Sequence, residues 1–302
     1  MAVTNLTPEL RGVLKLDEAM SKHTSWRVGG TADKYYEPAD IKDLAVYLEQ
    51  LPEGEPVIMV GLGSNLLVRD RGIRGSVICP TGMLDGFAIL EGQILRVEAG
   101  VPCAIVAKRC AKQGFTELEF LAGIPGTVGG ALAMNAGAFG GETWSNVVKV
   151  ETLDRQGIFH LRDREQYLVG YRSVIGPMVG LEEEWFVAAH FSLSVGDGEA
   201  GLSKIKQLLL KRSETQPMGV PSCGSVFRNP EGDYAARLIE SCGLKGFKIG
   251  NAQVSEKHAN FIINLGNAKA IDIEQVIITV AEKVKQQHGI QLESEVRIVG
   301  DE

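Results

Sequence analysis

The stretch LAGIPGTVGGALAMNAGAFGGE, Leu121 to Glu142, is built almost wholly from glycine, alanine and small apolar residues, with its one charge at the end. It has no serine, a single proline and that one charge, where a disordered linker would carry more of each. An ordered segment with so few side chains must pack closely against something. A flat cofactor carrying a pyrophosphate meets that need. A close-packed helix–sheet junction is the competing explanation.

A second segment points the same way. Val60-Gly61-Leu62-Gly63-Ser64-Asn65-Leu66-Leu67-Val68 reads as a strand running into a turn with two glycines, a serine and an asparagine. Glycines let successive N–H groups face one concavity, which suits phosphate oxygens. Ser64 and Asn65 would add side-chain donors. Leu66 stands where a third glycine would complete G-x-G-x-x-G, so a Rossmann turn is poorly supported. A tight surface turn remains the alternative.

The rest of the composition mostly excludes. A net charge of −7 and a densest basic stretch, Arg69 to Arg74, that contains Asp70 argue against a nucleic-acid footprint. Met1 to Gly12 carries no apolar signal region, and no apolar run is long enough to span a bilayer. Cys79, Cys103, Cys110, Cys223 and Cys242 form no C-x-x-C pair and the histidines do not cluster. The expectation is a cytoplasmic protein with reduced thiols, no metal and no obligate protein partner.

Periodicity places the elements. Asp40 can cap a helix with Ile41, Leu44, Ala45 and Leu48 on its apolar face. Strands are expected at Val57 to Val60, Ile94 to Glu98, Val147 to Leu153 and Trp185 to Val195. Pro102 suits the first turn of a helix ending at Gly114. Gly196 to Gly201 reads as a linker, followed by a helix from Leu202 to Lys211. Further helices are expected at Tyr234 to Cys242, capped by Asp233, and after a capping box of Asp272 and Gln275, closing at Gly289. A short strand, Glu295 to Val299, ends the chain.

These residues carry a family resemblance. GIPGTVGGALAMNAGAFGGE, VGLGSNLLV, YRS at Tyr171 to Ser173, GSVFRNP at Gly224 to Pro230 and LESEVRIVG at Leu292 to Gly300 resemble the UDP-N-acetylenolpyruvoylglucosamine reductase family, from about Thr24 to Gly300. The chain is similar to the shorter subclass, without an inserted substrate-covering loop. The resemblance implies an α+β architecture: the FAD-binding fold of the vanillyl-alcohol oxidase type, in two α+β subdomains (about 1–82 and 83–196), then a C-terminal α+β substrate domain (197–302). It implies bound FAD, NADPH as donor, and reduction of an enolpyruvyl UDP-sugar to UDP-N-acetylmuramate for peptidoglycan synthesis.

It also implies roles for residues. The FAD contacts would be Gly61, Gly63, Ser64, Asn65, Leu66, Gly123, Pro125, Gly126, Thr127, Gly129, Gly130, Asn135, Ala136 and Gly137. Arg172 matches the arginine that stabilises the charge developing on the substrate, and a guanidinium can grip a carboxylate with two hydrogen bonds. Ser225 matches the proton donor to C2. Glu295 matches a glutamate that polarises the carboxyl region, as a protonated acid or through water. Arg228 and Asn229 match substrate contacts, Asn229 toward the diphosphate. Ser294 departs from the motif, where a proline is usual, which puts the placement of Glu295 in question. Taken alone, each residue has a plainer reading: a turn arginine, a turn serine, a surface Glu–Arg pair, and for Cys223 a buried structural thiol. Two rivals stay open: another flavin oxidoreductase of the same fold, and a non-catalytic nucleotide-binding module.

Overall fold

The computed structural model describes residues 9–177 and 184–302. The reading of the extreme N-terminus falls largely outside them. The first subdomain is a four-stranded sheet in the order Val13–Ala19, Thr31–Glu37, Ile73–Ile78, Val57–Met59. The first pair is antiparallel and the other two pairs are parallel. Helix Ile41–Gln50 covers it, with Asp40 accepting from Asp43 N at 2.9 Å as the cap expected from sequence. Leu44, Tyr47 and Leu48 then pack with Tyr36 and Ile78, and also with Leu153 and Val187 of the next sheet, so this helix face joins the two subdomains.

The second subdomain is a five-stranded antiparallel sheet ordered Phe159–Asp163, Val147–Asp154, Glu184–Ser192, Ile94–Glu98, Phe87–Leu90. Helices Cys103–Lys112 and Val128–Met134 close its core. Pro102 caps the first of these from outside, one position earlier than expected.

The supposed linker is not one. Asp197 caps helix Gly198–Thr215, accepting from Glu199 N and Ala200 N, so Gly198 and Gly201 lie inside the helix. A methyl on Gly201 would stand 3.2 Å from Ala111 Cβ, so glycine there permits close helix packing rather than flexibility. Ile205, with Leu202 and Leu209 beside it, belongs to the second subdomain's core. The division expected at 196/197 therefore splits a packed unit, and we propose a boundary after Thr215.

The C-terminal domain packs strands Lys248–Ile249, Ala252–Val254 and Ile262–Asn264 against helices Ala235–Ser241 and Ala270–His288. The first of these helices begins one residue later than expected, and Asn229 Oδ1, not Asp233, accepts the Ala235 N–H at 3.1 Å. The last helix begins two residues before Asp272. Asp70, from the first subdomain, accepts from Ala270 N and Ile271 N at 3.0 and 3.1 Å. Strand Arg297–Val299 leaves this domain and pairs in parallel with Leu66–Val68. Trp26 Nε1 donates to Ile262 O at 2.7 Å across the same junction.

Candidate active site

The two glycine-rich segments face each other. A methyl on Gly61 would stand 2.5 Å from Thr127 Oγ1, and one on Gly129 would stand 2.9 Å from Ala99 Cβ. Protein neighbours therefore fill the space a side chain would take at both, which at Gly129 accords with the junction reading, although both glycines also line a cavity wall. Gly126 and Gly130 differ: added methyls would meet nothing nearer than Ser64 Oγ at 3.5 Å and Thr127 Oγ1 at 3.8 Å. Both line a cavity of about 410 Å³, so the room they leave is room for a ligand.

Arg172, Ser225 and Glu295 line that cavity, together with Gly61, Gly63, Ser64, Asn65, Leu66, Gly123, Pro125, Gly126, Thr127, Gly130, Ala136 and Gly137. Gly129 lines an adjoining cavity of about 980 Å³ that shares Gly61, Thr127, Gly130 and Arg297 with the first. The cleft formed by both has space for an extended dinucleotide. Tyr167 Oη, buried and without a partner among the described residues, belongs to a residue of the second cavity's wall.

Three expected contacts lie off both cavity walls. Asn135, 1% exposed, sits at the end of its helix with φ +43° and spends its side chain on Glu142, Gly170 O and Trp144 N. Its carbonyl accepts from Arg172 Nη1 at 3.4 Å. Asn229 caps a helix, as described. Arg228, expected as a substrate contact, donates from Nη2 to Arg172 O at 3.1 Å.

Arg172 has φ +54°, and Tyr171 flanks its guanidinium. Its Nε stands 2.9 Å from Glu295 Oε1, an ion pair whose N–H is not aligned for a hydrogen bond and has no other acceptor among the described residues. Burial raises the Glu295 carboxyl above the ordinary range, against the opposing pull of Arg172. Such a carboxyl holds its proton more readily than an exposed one. Glu295 precedes the final strand instead of lying in it: its N–H donates to Val226 O at 2.7 Å, and pairing with Leu66 begins only at Arg297.

At Ser294, where a proline is usual, the local bonds do not require one. The main-chain bonds around it use the N–H groups of Arg228 and Glu295, not its own. Its hydroxyl donates to Val296 O at 2.9 Å, bracketing Glu295 from both sides.

Ser225 follows Gly224, whose φ is +68°. Asn260 holds the next two residues: its main-chain O accepts from Val226 N at 2.9 Å, and its side chain bonds Phe227 N and O at 2.9 and 2.8 Å. Among the described residues the Ser225 hydroxyl has no protein partner, which leaves its proton for a ligand. Cys223 lies in the wall too, but its thiol points at Gly63 O and Leu66 O, and burial pushes it up to about 12, so it is an inert structural group.

Sequence reasoning missed Arg212, Gln216 and Arg297 in the wall. Arg212 is the last-turn cation of helix Gly198–Thr215 and bonds Gln216 Oε1 at 3.1 Å, with no carboxylate partner among the described residues. Burial alone lowers its proton affinity. With Arg297 and Arg172 it gives the cavity more cations than its single carboxylate balances, a setting for an anionic ligand.

Two glycine-rich segments lining a dinucleotide-sized cleft, on paired α+β subdomains with a third α+β domain against them, define a flavin-binding oxidoreductase with the vanillyl-alcohol oxidase type of fold. In agreement, the FAD binding domain model matches residues 32–162. The model of the UDP-N-acetylenolpyruvoylglucosamine reductase C-terminal domain matches residues 216–299, beginning at the packing boundary described above. Proteins named UDP-N-acetylenolpyruvoylglucosamine reductase from Alkalilimnicola ehrlichii and Methylococcus capsulatus are each 55% identical, over 96% of this chain and 96% and 94% of their own. The crystal structure of UDP-N-acetylenolpyruvylglucosamine reductase (MurB) from Thermus caldophilus superposes with a TM-score of 0.80 at 30% identity, covering 96% of this chain and 99% of that one. The chain belongs to the UDP-N-acetylenolpyruvoylglucosamine reductase family.

Proposed function

We propose that this protein uses NADPH to reduce UDP-N-acetylglucosamine enolpyruvate to UDP-N-acetylmuramate, in the cytoplasm, as a step of peptidoglycan precursor synthesis. Bound FAD supplies the two-electron carrier between donor and substrate. The observation that supports this reading most is the convergence of Arg172, Ser225 and Glu295, from three separate stretches of chain, on the cavity that the glycine-rich segments line. A nucleotide-binding module has no need of that set.

The residues then divide the work. Gly126 and Gly130 leave the cofactor its room, and Arg212 and Arg297, without a carboxylate partner among the described residues, suit the anionic groups of cofactor and substrate. The Arg172 guanidinium, ion-paired through Nε with Glu295, takes the substrate carboxylate as a further acceptor. As a hydride arrives at C3, negative charge grows at C2 and spreads into that carboxylate. Arg172 stabilises it, and Glu295, with its proton affinity raised, donates to the same region. Ser225 gives its hydroxyl proton to C2, completing the lactyl ether.

The test is a spectrum in three steps. Flavin bands in the purified or FAD-reconstituted protein should bleach with NADPH in the absence of oxygen and return on adding the enolpyruvyl UDP-sugar. Failure to take up FAD sinks the flavoenzyme reading. Bleaching without return keeps the fold and rejects this substrate.

A further inference from the structure

Asn65 was expected to offer its side-chain amide to the cofactor. The structure commits that group to the protein. Its Nδ2 donates to Glu295 O at 2.9 Å and to Met134 Sδ at 3.0 Å, and its main-chain O accepts from Arg297 N at 3.1 Å. Glu295 lies outside the regular strand, so its peptide groups are held by two bonds. The Val226 carbonyl takes the N–H, and the Asn65 amide holds the C=O. The same turn anchors the other reactive segment. Cys223, two residues before Ser225, is 3.5 Å from Gly63 O and 3.6 Å from Leu66 O through its sulfur.

We infer that Asn65 is a positioning residue for Glu295, through which the glycine-rich turn Gly61–Asn65 sets the acid's place against Arg172. The inference rests on the reductase reading. Its physical basis is geometric. Without the Nδ2 bond the Glu295 carbonyl loses its tie to the cofactor-side turn and the peptide can swing about the Val226 bond. A shift on the order of 1 Å in a reacting group costs about a hundredfold in rate.

The test is a double-mutant cycle on the FAD-saturated protein, N65A with E295Q, following flavin reduction by NADPH and flavin reoxidation by the enolpyruvyl UDP-sugar as separate rates. In N65A the ratio of reoxidation to reduction should fall roughly ten- to a hundredfold. In the E295Q background the same N65A change should have little further effect, because its target is gone. N65D, which keeps the size but lacks the donors, should behave as N65A does and serves if N65A does not fold. Hydrogen exchange should quicken at the Val296 and Arg297 amides of the Asn65 variants, with or without substrate. A ratio unchanged in the variant, or a loss just as large in E295Q, overturns the inference. If E295Q itself matches the unaltered protein, the functional reading has failed, and the exchange rates still decide whether Asn65 holds this segment.

Discussion

Glu295 donates its main-chain N–H to the carbonyl of Val226 at 2.7 Å, one residue beyond Ser225. The proposed acid and proton donor are therefore tied by one backbone bond, although 70 positions separate them in the numbering. That bond lies at the meeting of the C-terminal domain with the glycine-rich turn, and the chemistry proposed above depends on its geometry.

The two adjacent glycines Gly129 and Gly130 should respond oppositely to alanine. Both sit in helix Val128–Met134 and would gain the same helix propensity, about 1 kcal/mol. At Gly129 the new methyl meets Ala99 Cβ at 2.9 Å, and overpacking costs about 1–3 kcal/mol. Thermal melts of the flavin-free proteins should show Gly130→Ala as stable as the parent or more so, and several degrees above Gly129→Ala. Gly130→Ala should instead weaken FAD binding, measured by fluorescence titration, because its methyl enters the cavity.

Acid should expose a buried charge cluster in the five-stranded sheet. Glu151 accepts from Arg96 Nε and Nη2 at 2.7 and 2.6 Å and pairs with His190 Nε2 at 2.8 Å. Burial raises its proton affinity, but these hydrogen bonds outweigh it and hold the carboxyl at about 2, below its ordinary 4.5. A depressed folded-state pKa stabilises above the unfolded value and is lost as pH falls through the folded one. Glu151→Gln should thus lower Tm most above about pH 5, and the gap to the unaltered protein should narrow toward pH 2. A gap that stays constant across this range would remove Glu151 from the acid response.

Ser294 should accept proline. Its own N–H is outside the bonds that flank it, and the exchange trades the hydroxyl bond to Val296 O, worth about 1 kcal/mol, for a stiffer unfolded chain, worth about 0.4–1 kcal/mol. Ser294→Pro should melt within a few degrees of the parent and retain reoxidation by the substrate. Ser294→Ala, which loses the bond with nothing in return, should be the less active of the two. A Ser294→Pro protein that cannot fold would show that the local backbone rejects proline.

What the sequence made legible follows the range of the interactions. The cap at Asp40 and the strand Ile94–Glu98 are local, and both stand where periodicity put them. The glycine-rich segments were legible as a close approach but not in what approached. Gly129 answers to Ala99 and Gly126 to open cavity, a distinction made by tertiary neighbours. Gly196 to Gly201 misled because glycine in a helix looks like a breaker until Ala111 is found against Gly201. Arg212 carries no local mark: it is one basic residue at the end of an amphipathic helix. The caps Asp70 gives to Ala270 and the hold Asn65 has on Glu295 span 200 and 230 residues, and no local pattern announces either.

The most direct measurement of the proposed chemistry is the pair of half-reactions in Ser225→Ala, by stopped-flow absorbance at the flavin bands. Proton delivery by the serine predicts FAD binding and bleaching by NADPH close to the parent's, with reoxidation by the enolpyruvyl UDP-sugar slowed by about 10²–10⁴. Reoxidation at the parent's rate would contradict the assignment and take Ser225 out of the mechanism.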